Sequence, residues 1–193
     1  MPIIALPWQR VAARKVADRK AVLDRYPEWH LKVPVLDDIL DVSQLPVSEL
    51  TEREREIVSQ DATSLVDAMK SRRYTAVEVT KAFCHAAVVA QGVTNCLTEV
   101  FFGEALQRAA ELDEHLERTG EVAGPLHGLP VSIKDHIMVK GHDTATGYID
   151  WAYKSRAKKD AVVVSILRKA GAVLYVKTAN PQTLLVRVRL RRS

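Results

Sequence analysis

Asp160-Ala-Val-Val-Val-Ser-Ile-Leu-Arg-Lys-Ala-Gly-Ala-Val-Leu-Tyr-Val176 is the stretch on which the fold turns. Its triple valine favours a strand by propensity alone. The Asp160 N-cap signal, the Val163/Leu167/Ala170 spacing and the terminal Gly171 favour a helix instead. A helix over Asp160–Gly171 runs straight into Ala172–Val176, a continuous apolar run that reads as a buried strand. Upstream, Val131-Ser-Ile-Lys134 alternates apolar and polar residues after a Gly- and Pro-containing loop, and reads as another strand. Strand, helix and strand in that order predict a right-handed parallel crossover. The expected class is α/β.

Further out, the first half of the chain is helical in pattern. Thr51 with Glu54 and Thr75 with Glu78 match the [ST]-x-x-[DE] signature that satisfies free N–H groups at a helix start. Asp61 reads as the N-cap of a helix to about Lys70. The helix from Ala76 to about Gln91 has a narrow polar stripe of Glu78, Lys81 and His85, which predicts a mostly buried element with a solvated His85. After a β-like run, Leu97–Phe102, a helix over Glu104–Arg118 presents Ala105, Ala109, Leu112 and Leu116 as its apolar stripe, and Gly120 stops it. At the N-terminus, Trp8, Val11, Ala12, Val16, Val22, Leu23 and Tyr26 share one arc of an amphipathic helix, with Arg19 intruding on it. Pro27, Pro34 and Pro46 then predict an extended connector. The expected organisation is an N-terminal helix and arm over 1–50, a body of N-terminal helices and a mixed sheet over 51–185, and a basic tail over 186–193.

The chain has 193 residues, 47% of them hydrophobic, which is enough for a packed core. Cys84 and Cys96 form neither a CxxC motif nor a zinc-finger spacing, so a reducing, cytoplasmic compartment and no metal are expected. No uncharged stretch approaches the roughly 20 apolar residues that span a bilayer, so no membrane partner is expected. The net charge of +4 is concentrated in Arg187, Arg189, Arg191 and Arg192, and the remaining charges cancel. A neutral body argues against nucleic acid.

For chemistry, alternation places Ser132 and Lys134 on one face of their strand, away from Val131 and Ile133. A lysine held in an enclosed site loses its proton more readily and becomes a general base. Without enclosure it is a strand-end cation beside Asp135. Ser132 and Lys134 are about 6.5 Å apart along a strand, and no Gly-rich turn follows to bind an oxyanion, so Ser132 reads as a neighbour of the lysine and not as a nucleophile. His127 and His136 flank the strand as candidate pocket residues, Asp135 as a residue that orients a nearby loop, and Asp160 as a helix cap.

Leu97-Thr-Glu-Val-Phe-Phe102, Gly124-Pro-Leu-His-Gly-Leu-Pro-Val-Ser-Ile-Lys-Asp135, Thr144-Ala-Thr-Gly-Tyr148, Asp160-Ala161, Ala170-Gly-Ala-Val-Leu-Tyr-Val-Lys-Thr178 and Asn180-Pro-Gln-Thr-Leu-Leu185 together resemble the amidase signature family, its fungal acetamidase and general amidase branch in particular. The resemblance implies a truncated amidase signature fold. It also implies hydrolysis of small, acetamide-like carboxylic amides to carboxylate and ammonia, without cofactor, by a Ser-cisSer-Lys triad. Lys134 matches the family's general base. The nucleophilic and relay serines belong to a Gly-Ser-rich loop, and this sequence contains no Gly-Gly and no Ser-Ser pair. The expectation is therefore an inactive N-terminal part of an amidase, prone to self-association or aggregation through uncovered strand edges. The abrupt loss of match at Val186 favours a shifted reading frame or retained intron over a phosphate-binding tail. The alternative is a non-enzymatic α/β binding module with a basic tail.

Overall fold

The computed structural model describes residues 7–32 and 41–184. The tail assigned to 186–193, and Pro34 of the connector, lie outside them. In order, the elements are α1 (Pro7–Leu23), a 3-10 turn (Pro27–Trp29), α2 (Leu45–Ser48), α3 (Glu52–Val58), α4 (Ala62–Lys70), α5 (Ala76–Thr94), β1 (Leu97–Val100), α6 (Phe102–Thr119), β2 (Pro130–Lys134), a 3-10 turn (Ile149–Trp151), α7 (Val162–Lys169), β3 (Val173–Thr178) and a last 3-10 turn (Gln182–Leu184). The sheet has the order β1-β3-β2, with β2 parallel and β1 antiparallel to β3. The α/β class and the parallel β2–α7–β3 unit are as the sequence reads.

Helix starts follow the capping chemistry. Thr51 and Glu54 form a reciprocal capping box on α3, and Asp61 and Thr75 accept from Ser64 N and Glu78 N on α4 and α5. The first turn of α5 has a second support from another helix, because Asp113 of α6 accepts from Ala76 N at 2.6 Å and Val77 N at 2.9 Å. Asn95 and Gly120, both left-handed, end α5 and α6.

One face of the sheet is covered by α4, α5 and α6, whose apolar residues Leu65, Met69, Val79, Ala105, Ala109 and Leu112 pack with Val173. A neighbouring cluster brings Leu23 and Trp29 from the N-terminal segment against Cys84, Val88, Phe102 and Val176. On the other face Val164 of α7 packs with Phe101, Ile133, Val139 and Leu174.

Three local expectations are corrected. Helix α7 starts at Val162 with Ala161 as its N-cap; Asp160 instead accepts from Lys140 N at 2.7 Å and pairs with Arg168 at 3.1 Å, pinning the 138–140 loop. Its inward face runs through Val164 and Leu167, so the buried valine is Val164, and Val163 is 48% exposed. In α1 the inward face includes Lys15 and Arg19, while Trp8 and Val16 of the predicted apolar arc are in solvent. His85 is buried, not solvated: its Nδ1 lies 3.1 Å from Glu54 and its ring stacks on Trp29. Folding the connector back over α5 is what covers it.

The loop before β2 is tight enough to need glycine. A Cβ at Gly124 would lie 2.6 Å from the Ala170 carbonyl oxygen, which accepts from Leu126 N. This close approach seats His127 in the interior with no exposed surface, where Nδ1 accepts from Ala123 N at 3.1 Å. Burial holds its proton affinity below the ordinary histidine value, against an opposing pull from Asp113. The unfolded chain therefore binds a proton more readily than the folded one, and the stability His127 supports at neutral pH is lost as pH falls below about 6.5. In urea unfolding at about pH 7.5 and about pH 5.5, His127→Gln should lose less stability on acidification than the parent chain; an equal loss would remove His127 from the acid response.

Candidate active site

Lys134 closes β2, at the carboxyl end of the parallel pair, where ligands of open α/β sheets bind. It is tied to β3 twice: Lys134 pairs in register with Thr178, and its Nζ donates to Ala179 O at 2.9 Å. Ser132 shares its face, as alternation predicts, and both are exposed. Of the two readings of Lys134, enclosed base or strand-end cation, the described residues show no enclosure, because β2 is an edge strand and its outer end is uncovered among them.

Asp135 points the other way and is buried. Its Oδ1 accepts from Thr98 Oγ1 at 2.9 Å and lies 4.0 Å from Lys177 Nζ, and its backbone N donates to Thr178 O at 2.9 Å. Lys177 itself has no exposed surface; its ammonium donates to Asp143 O at 2.5 Å and Thr144 Oγ1 at 3.2 Å. Desolvation holds its proton affinity below the ordinary lysine value, against the pull of Asp135, Glu99 and Asp143. An alternating reading of Val173–Thr178 misses this residue. Two steps along β2, Val131 to Ile133, match three along β3, Leu174 to Lys177, so an extra residue in β3 turns Lys177 onto the face of Leu174.

Around this pair runs a chain of charges. Lys15 reaches Glu99 and, at 3.0 Å, Asp143; His142 lies 3.8 Å from Glu99 and 3.3 Å from Glu104. Burial opposes the charges on both Lys15 and Glu99. For Lys15, Glu99 and Asp143 outweigh it and raise the proton affinity; for Glu99, His142 and Lys15 outweigh it and lower the proton affinity. Two adjoining clefts of about 280 and 180 Å³ open here, sharing Lys15, Arg19, Thr98, Glu99 and Asp143 as walls, and the smaller reaches Asp135 and Tyr148. Both lie on the Asp135 face, and Lys134 lines neither.

The flanking histidines separate. His127 is core, while His136 is half-buried just past Asp135. Ser155 accepts from Thr144 N at 3.2 Å and serves the loop, not the strand. Among the described residues no group of three or more His, Cys, Asp or Glu side chains is arranged to hold a metal ion, and no helix is long and apolar enough to cross a membrane.

Residues 78–188 match the amidase family, and this span contains the Lys134 strand, the Thr144–Tyr148 loop and the buried Lys177. The chain belongs to the amidase family. It is 44% identical over 181 residues to the acetamidase of Emericella nidulans, and 41% identical over 187 residues to a putative amidase of Schizosaccharomyces pombe. These matches cover 93% and 94% of this chain but 32% and 34% of the relatives. A solved fatty acid amide hydrolase superposes over 93% of this chain and 32% of its own, with a TM-score of 0.84 and 32% identity, which establishes the amidase signature fold. A peptide amidase from Stenotrophomonas maltophilia superposes over 63% of this chain and 25% of its own, with a TM-score of 0.57 and 29% identity. The chain thus spans about a third of the length of the relatives it matches.

The buried pair makes a quantitative demand. Removing Lys177 leaves a buried carboxylate without its counter-ion and the Asp143 carbonyl without its donor, so Lys177→Ala should cost about 3–5 kcal/mol in urea unfolding, whereas Ser132→Ala, exposed on the same sheet, should stay within about 0.5 kcal/mol.

Proposed function

We propose that this chain supplies the base-bearing part of an amidase that hydrolyses small carboxylic amides to carboxylate and ammonia. Lys134 is the general base of a Ser-cisSer-Lys triad whose two serines lie on chain that this sequence does not contain. What supports the reading most directly is the position of Lys134: the one triad residue that the family motif assigns here stands at the carboxyl end of a parallel strand, fixed by register to Thr178 and by its ammonium to Ala179.

The chemistry follows from what an amide requires. A serine hydroxyl is too weakly nucleophilic to attack a carbonyl unless a base takes its proton as the bond forms, and the leaving amine needs a proton returned. A lysine passing that proton through a relay hydroxyl serves both steps. It acts as a base only when neutral, a state that enclosure promotes. Lys134 is exposed here, so the reading calls for further chain over the outer edge of β2, which also brings backbone donors for the tetrahedral oxyanion. Val162, Val163 and Ile166 leave an apolar strip of α7 in solvent, consistent with such a cover, and favour self-association of the 193-residue chain.

The test is a graft. Residues 7–184 replace the corresponding segment of the Emericella nidulans acetamidase, and ammonia release from acetamide is measured. The graft should turn over, Lys134→Ala within it should fall by at least about three powers of ten, and the 193-residue chain alone should stay at background. Undiminished turnover by Lys134→Ala in the graft refutes the assignment of the base, and Lys134-dependent turnover by the chain alone makes Ser132 the nucleophile.

A further inference from the structure

Helix α1 is held to the rest of the molecule in two different ways along its length. At its C-terminal end the attachment is apolar: Leu23 is buried, and Tyr26 and Trp29, stacked at 4.4 Å, join it against Cys84, Val88 and Phe102. Of the seventeen residues of α1, Leu23 is the one that is buried. Before it the contacts are polar. Arg19 donates to Leu97 O at 2.6 Å and Asn95 Oδ1 at 2.8 Å, and Lys15 binds Glu99 and Asp143. Tyr153 donates its hydroxyl to Asp18 at 2.6 Å, and the Arg14 and Lys15 cations lie 4.6 and 4.9 Å from the Tyr153 ring centroid. The two clefts lie directly behind these contacts, between α1, β1 and the 143–153 loop.

A helix anchored apolarly at one end and ionically along the rest has a built-in direction of release. Screening weakens the charged contacts, and those of Arg14 and Lys15 with the Tyr153 ring at the solvent edge are affected before the half-buried ion pair of Lys15 with Glu99. Screening leaves the apolar anchor intact. We propose that α1 is a salt-released strap. As ionic strength rises it pivots about the Leu23–Trp29 anchor and lifts from Glu99, Asp143 and Tyr153, opening the clefts and admitting small solutes to the Asp135–Lys177 pair at the end of the sheet. The loop carrying Thr144–Tyr148 is then held to the sheet by Lys177 without help from Lys15. This inference does not depend on the proposed reaction.

Hydrogen exchange of the 193-residue chain, read by mass spectrometry at about 0.1 M and about 1 M NaCl, tests it, since the Debye length falls from about 10 Å to about 3 Å between them. Residues 8–22 should exchange about tenfold faster at the higher salt with α5 and α6 unchanged, the signature of local opening. Lys15→Met should exchange fast at both salts, and Lys15→Arg should restore the salt response. If Lys15→Met does not fold, Asp18→Asn, an exposed change, gives the same comparison with a smaller increase. Salt-independent exchange in α1, or equal acceleration in α5 and α6, overturns the proposal.

Discussion

An ammonium with no exposed surface has to find oxygen on every side, and Lys177 finds it in two separate pieces of chain: the carboxylate that follows β2, and the loop that brings the carbonyl of Asp143 and the hydroxyl of Thr144. Neither segment is adjacent to β3 in sequence. Satisfying one buried charge therefore fixes where β2 ends, where the long loop after it returns, and how that loop meets the sheet. The arrangement is costly to assemble, since both ions give up water, and far costlier to leave half-made. That asymmetry makes the carboxyl end of the sheet a rigid platform even though the sheet has only three strands among the described residues.

Rigidity there serves the strand next door. Lys134 is exposed and is held to the end of β3 by its register with Thr178 and by its ammonium's bond to Ala179 O, with Asp135 locked underneath on the opposite face. One strand end thus combines an exposed lysine, held by its register and by its ammonium, with a buried carboxylate on the other face.

The elements legible in the sequence were those whose signal is local. Capping residues Thr51, Asp61 and Thr75 act within one turn, the 105/109/112/116 stripe repeats on one helix, and the 131–134 alternation needs only its own strand. What stayed hidden depends on distant partners. Asp160 reads as a cap until the Lys140 amide, twenty residues away, takes its carboxylate. His85 reads as surface until the connector folds over it. Lys177 reads as an ordinary lysine in an apolar strand because the extra residue in β3 shows only in its pairing with β2. Lys134 stands out by its motif, but its exposure follows from the edge position of its strand, which no local pattern encodes.

The bond from Asp113 to the first turn of α5 bears on how the molecule is made. Asp113 follows Ala76 by 37 residues, so on a ribosome adding about 5–20 residues per second the most apolar helix waits about 2–7 seconds for its outside cap. During that interval Thr75 alone secures its start, and Val79, Ala82, Val88 and Val89 have neither α6 nor β3 to cover them. Synthesis thus passes through a stage in which the future centre of the molecule is its stickiest surface. The stretch from Ala76 to Asp113 is where a nascent-chain chaperone has the most to protect, and where slow codons do the most harm.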